Sequence, residues 1–481
     1  MDIFKIQSLI NDRRVVTAND IDPTESYLQV GVFQQGNSRI SSGNADAYPS
    51  YAIPISEISG KSLKNVIVVD SKYGDDASAI AAGVYDFNKP FKTIDAAIQN
   101  AADSNDTLWV LGDYQQITEQ ILNRNFTIYA WNCVLDFSVA QIAQTGYAGL
   151  TIKGNANIAL NDIIDTTLSD YSFITIECTN FYTNSFGGYF FLDNAVDVPC
   201  YFALKADYIQ INSVVLSFAG LNWNVNIDCN ALDATAQSNG VGLIWSAGLT
   251  VNPTAYKTAC NYNLGNVTFN ALNGTSLIKM VSGTPDQKFF ITGNYNATNI
   301  QGTVTAPTAI VEQDASESYV DINATMNLVG VGVYATRSAV SQAIIRGNIQ
   351  HDYIGQGSPY AACYYISVGK VKLYADTIGI DKQMIYITNG AYLDITNCKL
   401  VNTGTVNNII MYIDTSRVKI QNAKFIVDLT NTYSATASAA ILVQIYSLFD
   451  NVALDGATIA NAFAGTTSGE MTDALMTDIG F

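Results

Sequence analysis

The chain has 481 residues, and its 24 Lys+Arg against 42 Asp+Glu give a formal net charge of −18, which excludes an extended nucleic-acid surface and argues against an anionic membrane, since both need clustered basic residues. Hydrophobic residues make up 48%, too many for a disordered chain, yet charged residues reach only 14%, against about 25% in typical soluble domains. Uncharged polar residues fill the difference, 44 Asn among them, a mix that disfavours helix and suits turns and stacked strands.

Residues 1–65 read as a separate N-terminal segment. Ile3, Phe4, Ile6, Leu9 and Ile10 have the spacing of a short amphipathic helix. Gly/Asn-containing stretches follow, then Tyr51-Ala52-Ile53-Pro54, whose proline favours an extended edge. The segment is either a loosely packed arm or an attachment module docked on another protein. Met1–Thr17 lacks the roughly 7–15-residue apolar stretch of a secretory signal, and no run approaches the ~18 apolar residues of a membrane helix. The seven cysteines have no CxxC spacing and read as reduced, buried thiols. His351 is the single histidine, which leaves no His-based metal cluster, and neither metal nor cofactor is expected.

Residues 66–114 have a more specific order. Val66-Ile67-Val68-Val69-Asp70 is a β-branched run that predicts a buried strand. A turn at Gly74-Asp75-Asp76 follows. Thr93 is placed to N-cap a short helix with Ile94, Ala97, Ile98 and Ala101 on one face. Asp106-Thr107-Leu108-Trp109-Val110-Leu111-Gly112-Asp113-Tyr114 is the next strand, ending in a turn. Strand, helix, strand and then only strands suggests one helix covering the open end of a long sheet stack.

From 115 to 462 a weak repeat dominates: a short alternating strand, a small or Asn-containing kink, and a second apolar segment. Copies are Phe126–Tyr129, Leu150–Asn155, Phe173–Cys178, Tyr319–Asn323, Tyr392–Cys398, Val418–Ala423 and Val452–Ala457. Ile128, Ile152 and Ile176 lie 24 and 24 residues apart; Leu373, Ile395 and Ile420 lie 22 and 25 apart, with Leu454 following. A coiling chain with occasional inserted loops has this period, each turn burying its inner face on its neighbours. About 14 turns and a rod of roughly 65 Å follow from the rung spacing. If Leu373, Ile395 and Ile420 stack, then Lys372, Asp394 and Lys419 form an alternating charge ladder on the outside, Asn397 stacks on Asn422, and Cys398 lies near Ala423. Residues 463–481 are a C-terminal tail.

These features resemble the right-handed, single-stranded parallel β-helix of pectin-lyase-like proteins. More narrowly, Val69-Asp70-Ser71-Lys72-Tyr73-Gly74-Asp75-Asp76, Asn88-Lys89-Pro90-Phe91-Lys92-Thr93-Ile94 and Asp106–Val110 resemble the entry to β-helix proteins of tailed bacteriophages. Leu111-Gly112-Asp113-Tyr114 departs from the Pro-Gly found there in many relatives. The resemblance implies an all-β fold with a capping helix and an attachment segment. It also implies a homotrimeric tail spike, tail fibre or head fibre, made in the bacterial cytoplasm and carried on the virion. Such proteins dock on other virion proteins through the N-terminus and bind, or sometimes cleave, host surface glycan.

Glycan cleavage by hydrolysis needs two carboxylates about 5–10 Å apart, whereas the lyases of the fold this chain resembles use a basic residue, often with a bound cation. Glu177, Asp228, Asp321, Asp352, Asp376 and Asp394 are candidates, and no local motif singles out a pair. His351, beside Asp352 and Tyr353, offers an acid–base group on an exposed turn; the plainer reading is an ordinary loop histidine. Asp75-Asp76 reads as a Ca²⁺ ligand pair or, more simply, a solvated turn. Tyr353, Tyr360, Tyr364 and Tyr365 cluster in sequence around His351 and suit either sugar stacking or packing between chains. Residues 434–450 and Met471–Phe481 are candidate trimer-interface segments. Three functions remain open: a structural and adhesive virion fibre or spike, a polysaccharide depolymerase on the same fold, and a cellular carbohydrate-active enzyme, against which the missing export signal counts.

Overall fold

Ile67, Leu108, Ile128, Ile152, Ile176, Leu204, Ile227, Tyr262, Ile291, Ile322, Ile345, Leu373, Ile395 and Ile420 stand in one column, each paired in parallel register with the next. None is more than 1% exposed. A strand cannot bury such a residue alone, and stacking turn on turn does so. Thirteen steps of ~4.8 Å give a column of roughly 60 Å. The protein is therefore a parallel β-helix, and parallel crossovers of this kind coil right-handedly. These relations come from a computed structural model, which describes residues 27–30, 51–54, 66–101, 107–115, 120–122, 124–137, 142–160, 164–183, 189–192, 200–212, 215–219, 223–235, 242–247, 259–271, 274–281, 288–299, 308–314, 318–336, 341–353, 362–381, 383–403, 409–413, 416–421, 423–427, 440–442 and 467–469.

The two triplets seen in the sequence belong to this one column. The missing middle copies are present but stretched: Ile227 to Tyr262 spans 35 residues and Ile291 to Ile322 spans 31. Through the middle turns one long strand, such as Ala259–Ala271 or Lys288–Asn299, carries two faces. A shorter strand, such as Ser276–Val281 or Ala309–Asp314, closes each turn. At the C-terminal end the long strand divides: Gln342–Tyr353 pairs with both Lys370–Leu373 and Asp376–Asp381.

The corner inside each long strand is set by residue size and by amides. In the N-terminal turns it carries Asn132 and Asn155, which lie between strands, and Thr179, Asp207 and Asn230, which lie within them. The Asn155 amide donates to the Asn132 carbonyl oxygen at 2.9 Å, and the Asn230 amide donates to Asp207 at 3.0 Å. In the middle turns the corner tightens to Gly293, Ala324 and Gly347, which pair with one another. Gly293 has φ 143°, and a Cβ there would lie 1.7 Å from the Leu264 carbonyl oxygen.

At the entry, Val66–Asp70 is the first rung and pairs with Thr107–Leu111. Thr93 N-caps its helix as expected, accepting from Ala96 N at 3.1 Å. A second helix also forms. Asp76–Ala82 (α1) precedes Ile94–Asn100 (α2), and Asp75 caps α1 by accepting from Ser78 N at 2.7 Å. Asp76 is neither a solvated turn residue nor set among cation ligands: it accepts from Lys92 N at 2.7 Å, Thr93 N at 3.0 Å and the Thr93 hydroxyl at 3.0 Å. The Gly-Asp-Asp and Lys-Pro-Phe-Lys-Thr motifs are thus two halves of one clamp. It seats Ala79, Phe91, Ile94, Ala97 and Ile98 on Ile67 and Val69.

The charge ladder has the expected register, Lys372 beside Asp394 beside Lys419. It lies on the outward side as expected, but two of its three members are buried and Lys372 is half-buried. Asp394 and Lys419 are each 6% exposed, with Lys419 Nζ 3.5 Å from Asp394 Oδ2. Period-2 alternation places them opposite the core column, and the outer face of this sheet is covered at these rungs. The short strands Gly332–Thr336 and Ala362–Ile366 are likewise buried on both faces. Tyr27–Val30 pairs antiparallel with Tyr51–Pro54. Ala440–Leu442 pairs in parallel with Thr467–Gly469. The expected helix at 3–10, Asn422, Leu454 and Met471–Phe481 lie outside the described residues, as does all of 434–450 except Ala440–Leu442.

Cys133, Cys178, Cys229, Cys260, Cys363 and Cys398 are free and buried. Burial pushes the thiols of Cys133, Cys178, Cys229 and Cys398 up to about 12. These six will stay silent to an aromatic disulfide reagent in the native protein at pH 8, and all seven cysteines will titrate in denaturant. Folding favours the neutral thiol. Below pH 9 the four shifts therefore cost nothing, and between pH 9 and about 12 the unfolded state loses protons that the folded state keeps. Stability then falls by about 1.4 kcal/mol per thiol per pH unit, measured as a falling denaturation midpoint.

Candidate functional site

Past the corner, four successive long strands show the same triplet, polar–apolar–polar: Asn266-Val267-Thr268, Asn294-Tyr295-Asn296, Thr325-Met326-Asn327 and Asn348-Ile349-Gln350. Their registers align these triplets rung on rung, and Asp376-Thr377-Ile378 continues them. The middle residue of each is buried in the core, so the two flanking residues project outward. The result is two parallel polar ladders, Asn266–Asn294–Thr325–Asn348–Asp376 and Thr268–Asn296–Asn327–Gln350, the second ending against the apolar Ile378. They line an open groove of about 740 Å³ that Lys399 closes at the C-terminal end.

Every group in the upper four rungs is uncharged. Each amide offers two N–H donors and a carbonyl acceptor, and little of that capacity is spent internally. Asn327 donates to Asn296 at 3.4 Å and Asn266 to the Asn230 carbonyl at 3.5 Å. Asn294, Thr325, Asn348 and Gln350 make no side-chain hydrogen bond among the described residues. The one carboxylate among the described residues that line the groove, Asp376, accepts from Lys399 N at 2.7 Å. N-terminal to the groove on the same face, the Tyr208 hydroxyl donates to Asp233 at 2.8 Å, and the Tyr182 and Tyr208 rings meet edge to face at 6.2 Å. Burial, and then the Asp233 carboxylate, push the Tyr208 phenol up to about 12.

The residues singled out in the sequence lie elsewhere, except Asp376. His351 is not on an exposed turn. It is 1% exposed, stacked between Leu328 and Gly379 inside the core, with Nε2 3.0 Å from the Val331 carbonyl oxygen. The strand runs on through Tyr353, so parity turns Ile349 and His351 inward and Gln350 and Asp352 outward. Asp352 is half-buried beside Val329 and Ile380. Tyr364 is buried, its hydroxyl 2.6 Å from Thr377 Oγ1. Tyr365 faces the other way and stacks on Tyr386 with ring centroids 5.5 Å apart. Neither tyrosine is available to a sugar at the surface. Tyr353 sits at its strand's end opposite Asp381, and Tyr360 lies outside the described residues.

The acidic candidates are interleaved with cations and amides rather than paired with each other. Glu177 and Asp228 are two rungs apart, with Lys205 between them and 3.4 Å from Glu177; the Asn263 amide donates to Asp228 at 2.7 Å. Asp321 accepts from Arg346 at 2.6 and 2.9 Å in a half-buried pair. Asp394 accepts from the Thr396 hydroxyl at 2.6 Å besides its contact with Lys419. Among the described residues no group of three or more His, Cys, Asp or Glu side chains is arranged to hold a metal ion, and no helix is long and apolar enough to cross a membrane.

Comparison with protein-family models, with curated proteins and with solved structures finds no match to this chain.

Proposed function

We propose that this protein is an elongated glycan-binding appendage, a virion fibre or spike whose β-helix displays the amide-lined groove to a host surface polysaccharide. The observation that carries the reading is the groove itself: four rungs of uncharged donors and acceptors, largely unspent and open, along the β-helix. Sugar hydroxyls are met by such groups, and duplex phosphates are not. The entry motif from Asp70 to Thr93 adds the phage-appendage part of the reading. In that reading residues 1–65 dock on other virion proteins and the chain assembles as a homotrimer. Hydrolysis is not part of the proposal, because it needs a second carboxylate and Asp376 is the one carboxylate among the described residues that line the groove.

The full chain will be retained on at least one immobilised bacterial capsular or O-antigen polysaccharide without releasing reducing ends or unsaturated products. Its mass in solution will be that of a trimer. Retention on none of a broad panel of such polysaccharides removes the adhesive reading, and release of products replaces it with the depolymerase.

A further inference from the structure

We infer that the groove selects a neutral, linear polysaccharide and holds it lengthwise along the helix axis, one repeat per rung. The inference rests on the glycan-binding reading and goes further, to the charge and geometry of the ligand.

Three observations carry it. The first is charge. The chain is at −18 overall, and the groove's one carboxylate and one ammonium, Asp376 and Lys399, sit together at its C-terminal end. An acidic polymer would meet repulsion over the rest of the surface and no cation along the upper rungs. The second is period. The polar ladders repeat with the rung spacing of ~4.8 Å, close to the advance of one pyranose in an extended chain. A lengthwise chain therefore meets a pair of uncharged polar groups at each of the four upper rungs, while a chain lying across the rod meets one rung only. The third is extent. One ladder runs through five aligned rungs, from Asn266 to Asp376, about 19 Å between first and last, and the other through four, from Thr268 to Gln350.

The test is calorimetric titration of the full-length protein with neutral oligosaccharide series of increasing length (β-1,4-linked glucose, mannose and N-acetylglucosamine oligomers) and with anionic oligogalacturonate and hyaluronate fragments. Each is run at low and at 0.5 M salt. Neutral ligands are expected to bind, affinity rising with each added sugar up to about five and then levelling, with little salt dependence. Asn296→Lys and Asn327→Asp, both on outward positions, are each expected to weaken binding tenfold or more. Asn261→Asp, outward on the other face of the same strand stack, is expected to leave it unchanged. Preference for the anionic series, affinity independent of length, or full binding by both groove variants overturns the neutral lengthwise mode while leaving glycan binding standing. No binding by any series, together with no retention on bacterial polysaccharides, removes both.

Discussion

Gly293→Ala will lower stability by about 3–5 kcal/mol, read as a shift of the denaturant midpoint at unchanged slope. Two costs add. The residue has φ 143°, a region that side chains bearing a Cβ rarely enter. The new methyl would also lie 1.7 Å from the Leu264 oxygen and 2.8 Å from its carbon. These are backbone atoms of the rung beneath, so no side chain can rotate away, and relief requires two hydrogen-bonded rungs to part. Ala324 occupies the same corner one rung on and is not among the positive-φ residues. Its replacement by glycine is expected to cost about 1 kcal/mol or less, which makes it the matched control. A Gly293→Ala protein as stable as the parent would mean that the tight corner is absent, and with it the alignment of the groove triplets that follow it.

Asp394→Ala will cost about 3–5 kcal/mol, because it leaves a buried ammonium without its counter-charge. Lys419 is buried and Lys372 stands on the other side of Asp394 in the same column. Burial already holds the Lys372 ammonium below its usual range, Asp394 works against that shift, and Lys419 adds to it. Removing the carboxylate therefore lowers Lys372 further, a shift that lysine NMR titration reads directly. Asp394→Leu with Lys419→Leu is expected to recover most of the loss, since apolar groups of similar size replace a desolvated pair at little net cost. If the single variant unfolds at the parent's midpoint, the ladder is solvated and the covering of that face is wrong.

Much of the coil was legible because its signal is local. Ile128, Ile152 and Ile176 share a period of 24, and the Leu373–Ile395–Ile420 register followed from counting alone. The middle rungs escaped because a step of 35 residues between Ile227 and Tyr262 breaks any fixed period. α1 escaped because Gly74-Asp75-Asp76 carries turn chemistry, and only the Ser78 amide shows Asp75 to be a cap. The groove was present in the sequence as four polar–apolar–polar triplets. Each reads as an ordinary exposed strand edge until the corner glycines bring them into line. His351 was misplaced for a related reason: polar neighbours at Asn348, Gln350 and Asp352 look like a turn, and parity counted from Ile349 is what sends it into the core.

The order of residues by itself determined that this chain coils, which side chains face inward, and where the capping helix over the first rung begins, because alternation, β-branching and N-cap chemistry act within a few residues. Only the tertiary structure decided which outward residues meet across rungs to make a groove, which charges lose their water, and that the lone histidine is interior. Those outcomes depend on contacts between residues some 22–35 positions apart in the chain, and loop length and corner geometry set that register rather than any local preference.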